Sequence, residues 1–164
     1  MMNVRTGLTV FSIAIIIVAC GCGKDSSQTG SASQPKKSVE KSVFINDTKM
    51  TLSILKGKFS QSEIIPLRLR LTNTSDQKIT LHFPSSQKFD FSVKDKDGNE
   101  IWRWSANKSY AMSLTTLEIK PGEHQDFFAK IEAGVLKSGS YSVEGTSSAD
   151  ELFNETLSID ITVG

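Results

Sequence analysis

Few residues in this sequence have the type and spacing that catalysis or metal binding requires. The two histidines, His82 and His124, lie far apart, and no His-x-x-His or similar spacing suggests a zinc site. Serines are plentiful, but none sits in the Gly-x-Ser-x-Gly elbow that activates a nucleophile, and no glycine-rich loop suited to phosphate is present. We therefore expect no enzyme, no metal site and no cofactor.

One acidic segment is similar to a calcium loop. Asp95-Lys96-Asp97-Gly98-Asn99-Glu100 alternates carboxylates ahead of a glycine. An EF-hand loop has its glycine at position six and a bidentate glutamate at position twelve, and helices flank it. Here the glycine is fourth and predicted strands flank it. Because Asp-Gly and Gly-Asn suit a tight turn, the segment predicts a β-hairpin.

The cysteines carry the clearest chemical signal. Arg5 precedes an apolar run that ends in Ile17-Val18-Ala19-Cys20, which resembles the lipobox of bacterial lipoproteins. The run is shorter than the roughly 20 apolar residues of a membrane-spanning helix, so we interpret residues 1–19 as a cleaved signal peptide and Cys20 as the lipid attachment site. Cys22 is the alternative acylation site, and an ordinary secretory signal is the alternative to a lipoprotein signal.

The tether predicted after the lipid spans residues 20–38. It is rich in Gly, Ser, Gln and Lys and has almost nothing apolar to bury, as is typical of flexible linkers. Acyl chains contribute about 0.8 kcal/mol per buried methylene, so two or three of them anchor a protein without a spanning helix. We expect the mature protein to bind the lipid membrane through the acylated cysteine, on the extracytoplasmic face of the cell membrane.

Two tryptophans mark the candidate contact with a protein partner. Trp102 and Trp104 have the same parity, so they share one face of a strand. They form the centre of the core, or at least one of them is an exposed anchor, since Trp, Tyr and Arg dominate interface energetics. The polar stretch that follows belongs to the same candidate, which comprises Trp104, Ser105, Ala106, Asn107, Lys108, Ser109 and Tyr110.

Period-two alternation predicts the strands that must position these residues. Apolar and polar residues alternate over 67–72, 79–83, 89–94 and 157–163, which predicts antiparallel strands with one face in water. In the third of these, Asp90, Ser92 and Lys94 are assigned to the wet face. Turn signals separate the runs at 46–47, 73–76, 97–99, 121–122 and 138–140. Residues 39–164 are thus predicted to form an antiparallel, immunoglobulin-like β-sandwich.

Charge and cysteine content argue against a nucleic-acid-binding protein and against a disulfide-stabilised domain. The chain has 19 Lys and Arg against 18 Asp and Glu, a net charge of +1, so no basic face suggests a nucleic-acid partner. Its only two cysteines lie in the N-terminal segment. No disulfide framework therefore holds the β domain.

The chain resembles a known family, the BsuPI-type proteinase inhibitor domain of Bacillus. The resemblance covers roughly residues 60–145, and its centre is fairly specific: a Phe-Asp-Phe strand, a turn and a Trp-Arg-Trp-Ser strand. The matching residues are Leu71-Thr72-Asn73-Thr74-Ser75, Phe89-Asp90-Phe91, Val93, Asp97-Gly98, Ile101-Trp102-Arg103-Trp104-Ser105, Leu117, Ile119, Pro121-Gly122-Glu123, Gly139 and Tyr141. The resemblance implies an immunoglobulin-like β fold and inhibition of subtilisin-type serine proteases.

These observations support three hypotheses. The first is a membrane-tethered module that binds a serine protease, either through the loop from Ser105 to Met112 or through an edge strand that adds to the protease. The second is a structural or assembly module of the cell envelope without protease inhibition. The third is an enzyme acting on wall material, for which the sequence identifies no paired carboxylates. The family's name describes an intracellular inhibitor, whereas the signal peptide places this chain outside the cytosol.

Overall fold

Eleven strands and one short 3-10 helix form the β domain in this computed structural model, which describes residues 38–153 and 155–164. The predicted signal peptide, Cys20 and nearly all of the tether lie outside the described residues. The strands are β1 Val39–Ile45, β2 Thr48–Ile54, β3 Lys58–Phe59, β4 Ile65–Asn73, β5 Ile79–Phe83, β6 Phe89–Asp95, β7 Glu100–Arg103, β8 Thr115–Ile119, β9 His124–Ile131, β10 Gly139–Ser147 and β11 Thr156–Val163. The helix spans Asp150–Leu152. No helix in residues 38–153 and 155–164 is long and apolar enough to cross a membrane.

Two main sheets face each other. One has the strand order β1-β2-β4-β9 and the other β3-β11-β10-β6-β7, while β5 and β8 form a separate pair. Every pairing is antiparallel except the short one between β11 and β3. The predicted antiparallel β-sandwich is thus confirmed, and the arrangement is compatible with an immunoglobulin-like fold.

The core lies where the apolar faces of the two sheets meet. Leu67, Leu69 and Leu71 of β4 are buried, and the alternation continues along β11 with Leu157, Ile159, Ile161 and Val163. Gly145 of β10 sits where the two sheets approach closely, because a Cβ built there would lie 3.0 Å from Leu52 Cδ1. Any side chain at this position would compete with β2 for space.

The predicted turns are confirmed with one exception. Gly98 and Gly122 have φ angles of +84° and +73°, as their turns require. Asp95 caps the hairpin by accepting hydrogen bonds from the backbone N–H groups of Asp97 and Asn99, both 2.9 Å. The expected turn at 138–140 is wrong, because β10 already begins at Gly139 and the chain reverses earlier, around Gly134 with φ +79°.

An ion pair joins β9 to β4 on the outer face of their sheet. Arg70 donates to both carboxylate oxygens of Asp126, over 2.6 and 2.7 Å. These hydrogen bonds lower the pKa of Asp126 below its usual value. The contribution of the pair to stability is therefore present above the ordinary pKa of an aspartate and is lost as the pH falls through the lowered value.

Candidate functional site

A buried carboxylate on β6 holds the chain where it leaves β7. Asp90 is only 7% exposed. It accepts hydrogen bonds from the Ser105 hydroxyl at 2.5 Å, from the Ser105 backbone N–H at 3.2 Å and from Arg103 Nη1 at 2.9 Å. The backbone pairing also runs one residue past β7, because Trp104 N donates to Phe91 O over 2.9 Å. The first residues after the strand are therefore fixed to β6.

Arg103 links this carboxylate to a second one. Its Nε donates to Glu100 Oε1 over 2.9 Å, and its Nη2 also bonds to Glu100. The bonds to Glu100 and Asp90 raise the pKa of Arg103 above its ordinary value. Arg103 thus stays charged and clamps the end of β7 between two carboxylates.

The assignment of Asp90 and Ser92 to a wet face was wrong. Both are buried, because β6 is an inner strand of its sheet, and Asp90 is covered by Arg103 of β7 and by Ser105 just after it. Alternation correctly separates these residues from the apolar core, but it does not reveal that the second face is covered. Equal parity places Arg103 and Ser105 on one side of their segment, but the sequence pattern does not show that this segment lies beside Asp90.

Trp104 packs on the opposite side of the same segment. Its ring stacks on Phe89 with centroids 4.3 Å apart, and Phe89 in turn stacks on Phe127 of β9 at 4.9 Å. Lys108 Nζ lies 3.5 Å from the Trp104 ring centroid and donates to Trp104 O over 2.8 Å. The indole is thus held between an aromatic ring and a cation.

The two tryptophans share a face, as predicted, but neither proposed environment describes them fully. Trp102 and Trp104 are half-buried and pack against the edge of the core. They are therefore neither the centre of the core nor freely exposed anchors. Their position at the sheet edge follows from β7 being the last strand in its sheet.

The chain between β7 and β8 forms one loop, residues 104–114, which we call the anchored loop. Ser105 fixes its start to Asp90. Further on, Ser86 N donates to Ala111 O over 3.0 Å and Ala111 N donates to Ser86 Oγ over 2.9 Å. Just past the loop, the Thr115 hydroxyl donates to Ser85 O over 3.1 Å. Attachment points before, within and after the loop limit its conformations.

The structure brings all the predicted contact residues into this loop. Ala106, Asn107, Lys108 and Ser109 are exposed, whereas Trp104, Ser105 and Tyr110 are half-buried. The Tyr110 hydroxyl is buried without a hydrogen-bond partner among the described residues. Burial, with the negative charge of Asp90, raises the pKa of Tyr110 above its usual value. Residues 106–109 are therefore available for contact, whereas the Tyr110 hydroxyl is not.

The candidate loop from Ser105 to Met112 included Met112 but stopped short of Leu114, and these two are the most exposed apolar residues of the loop. Met112 is 88% exposed and Leu114 is 85% exposed. Apolar residues are ordinarily assigned to a core by pattern, and nothing local indicates that Ser86 would hold the chain at Ala111 so that the next residues project outward. The only signal in the sequence was that Met112 and Leu114 do not continue the apolar pattern of β8.

An apolar groove of about 830 Å³ lies next to the anchored loop. It runs between β7 and β9, each the edge strand of its sheet. Trp102 and Trp104 form one side, and Phe128 with Ile64 contributes the other. An edge strand beside an apolar groove is the arrangement that accepts an added strand from a partner.

The histidines lie away from this region. His82 Nδ1 is 2.6 Å from Glu151 Oε1, which ties β5 to the 3-10 helix. His124 Nε2 lies 3.8 Å from Asp126 Oδ2. Within residues 38–153 and 155–164, no group of three His, Cys, Asp or Glu side chains is placed to hold a metal ion.

A family model described as an intracellular proteinase inhibitor, BsuPI, matches residues 52–152. This match covers well over half of the chain. The chain belongs to the BsuPI family. The BsuPI match runs from β2 to the 3-10 helix and so includes Asp90, Arg103 and the whole anchored loop.

Solved structures match this BsuPI chain only at low identity and low TM-score. The sporulation control protein Spo0M from Bacillus subtilis is 13% identical with a TM-score of 0.44, over 73% of this chain and 50% of that one. The C-terminal domain of Wzt is 12% identical with a TM-score of 0.44, over 80% of this chain and 82% of that one. A β-glucosidase from Erythrobacter marinus is 9% identical with a TM-score of 0.41, and the matched region covers 77% of this chain but only 16% of the glucosidase. No curated protein matches the chain in sequence.

Proposed function

We propose that the protein is a membrane-tethered lipoprotein on the extracytoplasmic face, whose β domain inhibits subtilisin-type serine proteases. Membership in a family described as a proteinase inhibitor supports the activity. The observation that carries the proposal is the anchored loop, an exposed segment held to β6 and to Ser86. A serine protease is thus the proposed protein partner.

The anchoring matters because inhibition depends on the cost of ordering the inhibitor. A mobile loop loses conformational entropy when it enters a cleft, which weakens binding. Here Asp90 fixes Ser105, and Ser86 fixes Ala111 in the free protein. Much of the conformational entropy of the loop is therefore already lost when the domain folds, so less is lost on binding.

Replacing residues 106–109 with a Gly/Ser linker tests the loop. These side chains are exposed, so we expect the thermal midpoint to stay nearly unchanged while inhibition of subtilisin is lost. Inhibition assays and thermal melts on the same preparations measure both effects.

A matched control changes the exposed turn at the other end of β7. The double variant Lys96→Ser/Asp97→Ser alters side chains that lie in solvent, and it should inhibit like the wild-type protein. If the linker variant also inhibits at full strength, residues 106–109 are not the contact, and either the rest of the anchored loop or the groove beside the β9 edge is the contact surface.

The membrane anchor rests on the sequence around Cys20. An apolar run that closes in Ile17-Val18-Ala19-Cys20 supports acylation at this cysteine. We expect Cys20→Ala to release the protein from membranes or leave it unprocessed, whereas Cys22→Ala keeps the anchor. Labelling with a palmitate analogue and intact-mass measurement decide between the sites, because lipid retained on Cys20→Ala would assign the modification to Cys22.

The extracytoplasmic location changes the target that the family description implies. A cytosolic protease is out of reach of a protein displayed outside the membrane. The protease inhibited is therefore a secreted or surface enzyme that encounters the tethered domain.

A further inference from the structure

The last part of the anchored loop presents two large apolar side chains to solvent. Met112 and Leu114 are 88% and 85% exposed, and Ser113 between them is also exposed. Exposing such side chains in water is unfavourable, and neither belongs to the buried cluster of the domain. These two residues, separated by Ser113, form the most exposed apolar feature of the loop.

The backbone on both sides of this pair is fixed. Ala111 exchanges hydrogen bonds with Ser86, at 3.0 and 2.9 Å. Thr115 begins β8, where it pairs with Phe83, and its hydroxyl also receives a hydrogen bond from Lys88 Nζ at 2.5 Å. Only three residues span the distance between the two fixed points, so Met112 and Leu114 have little freedom to fold back onto the domain.

Resting on the proposed function, we propose that Met112 and Leu114 are the apolar contacts that bind the protease, which makes the target an endopeptidase whose substrate cleft accepts large apolar side chains. The apolar character of Met112 and Leu114 determines which kind of cleft they suit. Protease clefts bind extended chain segments and select side chains by the character of their pockets, such as the hydrophobic slot and the acidic pocket found in related serine proteases. Residues 112–114 present two apolar side chains and no cation, so they suit the hydrophobic pocket and not the acidic one.

The alternative contact in the same loop is less suited to such a cleft. Lys108 is the only cation among residues 104–114, and its ammonium is already held against the Trp104 ring and carbonyl. If Lys108 bound in a protease pocket, it would lose both its contact with the Trp104 ring and its hydrogen bond to Trp104 O. The apolar pair, by contrast, gives up only contact with water when it binds.

The experiment compares the full chain in detergent with the double variant Met112→Asp/Leu114→Asp, using subtilisin as the probe. We expect the inhibition constant to rise by about a hundredfold or more, because a few residues carry most of the binding energy of an interface and the variant would bring two carboxylates into an apolar pocket. The thermal midpoint should stay unchanged, since both side chains already lie in water. The swap Met112→Leu/Leu114→Met should keep inhibition within about threefold, because it conserves apolar character and size.

Phe44→Asp provides the matched control, because Phe44 is an exposed apolar residue on β1, in the other main sheet. It should inhibit like the wild-type protein. Full inhibition by the double Asp variant, or an equal loss in Phe44→Asp, would overturn the assignment of Met112 and Leu114 while leaving protease inhibition intact. A wild-type chain that does not inhibit subtilisin would instead overturn the proposed function and this assignment together.

Discussion

We expect Leu69→Ala to lower the free energy of unfolding by about 2–5 kcal/mol, which is the range for truncating a buried leucine. Leu69 is fully buried in the middle of β4. It packs against Gly145 of the facing sheet, with its Cδ1 3.4 Å from the position of a Cβ at that glycine. The substitution removes apolar contacts and leaves a cavity that the two sheets close only in part. Denaturant unfolding followed by intrinsic fluorescence measures the change.

Arg68→Ala is the control on the same strand. Arg68 points to the opposite face, where its Nη2 donates to Glu40 and Ser53, each over 3.1 Å. Partly exposed ion pairs of this kind contribute little to stability. A larger loss for Arg68→Ala than for Leu69→Ala would contradict the register of β4, since a slip by one residue moves every side chain to the other face.

The second large effect is expected from Asp90→Ala, which removes the carboxylate that fixes the anchored loop. Ser105 loses the acceptor of both its hydroxyl and its backbone N–H. Leaving such groups without partners costs about 1–3 kcal/mol, and more where a charge is involved. Arg103 keeps its bonds to Glu100 and is partly exposed, so its share of the loss is small. Without Asp90, Ser105 at the start of the loop is no longer held. We expect inhibition to weaken by more than the unfolded fraction of the variant accounts for.

Asp160→Ala is the matched control for this variant. Asp160 is an exposed aspartate on β11 of the same sheet, so its removal should change neither stability nor inhibition measurably. Inhibition constants and unfolding curves for both variants separate the two effects. If Asp90→Ala were destabilised yet inhibited as tightly as the wild type, the rigid loop start would have no role in binding.

The strands that alternation predicts best are those with one face in water. Leu67, Leu69 and Leu71 of β4 alternate with partly exposed residues, and β11 shows the same pattern. On such strands hydrophobicity alone determines orientation. β6 departs from this rule because Arg103 and Ser105 from a neighbouring segment cover Asp90, and that contact depends on strand order, which local patterning does not contain.

The candidate site could be predicted in outline only. The polar residues 106–109 after the tryptophans correctly indicate an exposed loop. The hydrogen bonds between Ser86 and Ala111 join residues 25 positions apart, so no local pattern predicts them. The sequence predicts an exposed loop from Ser105 to Met112, but the exposure of Leu114 becomes visible only once the fold places Ser86 beside the loop.

Titration of subtilisin with the purified protein decides whether the β domain is a protease inhibitor. We expect protease activity to fall in proportion to added protein and to be lost near the equimolar point, because an exposed loop that is already anchored in the free protein forms a tight complex. Undiminished activity at a large molar excess of correctly folded protein would contradict it. The second hypothesis, an envelope module that inhibits no protease, would then describe the protein.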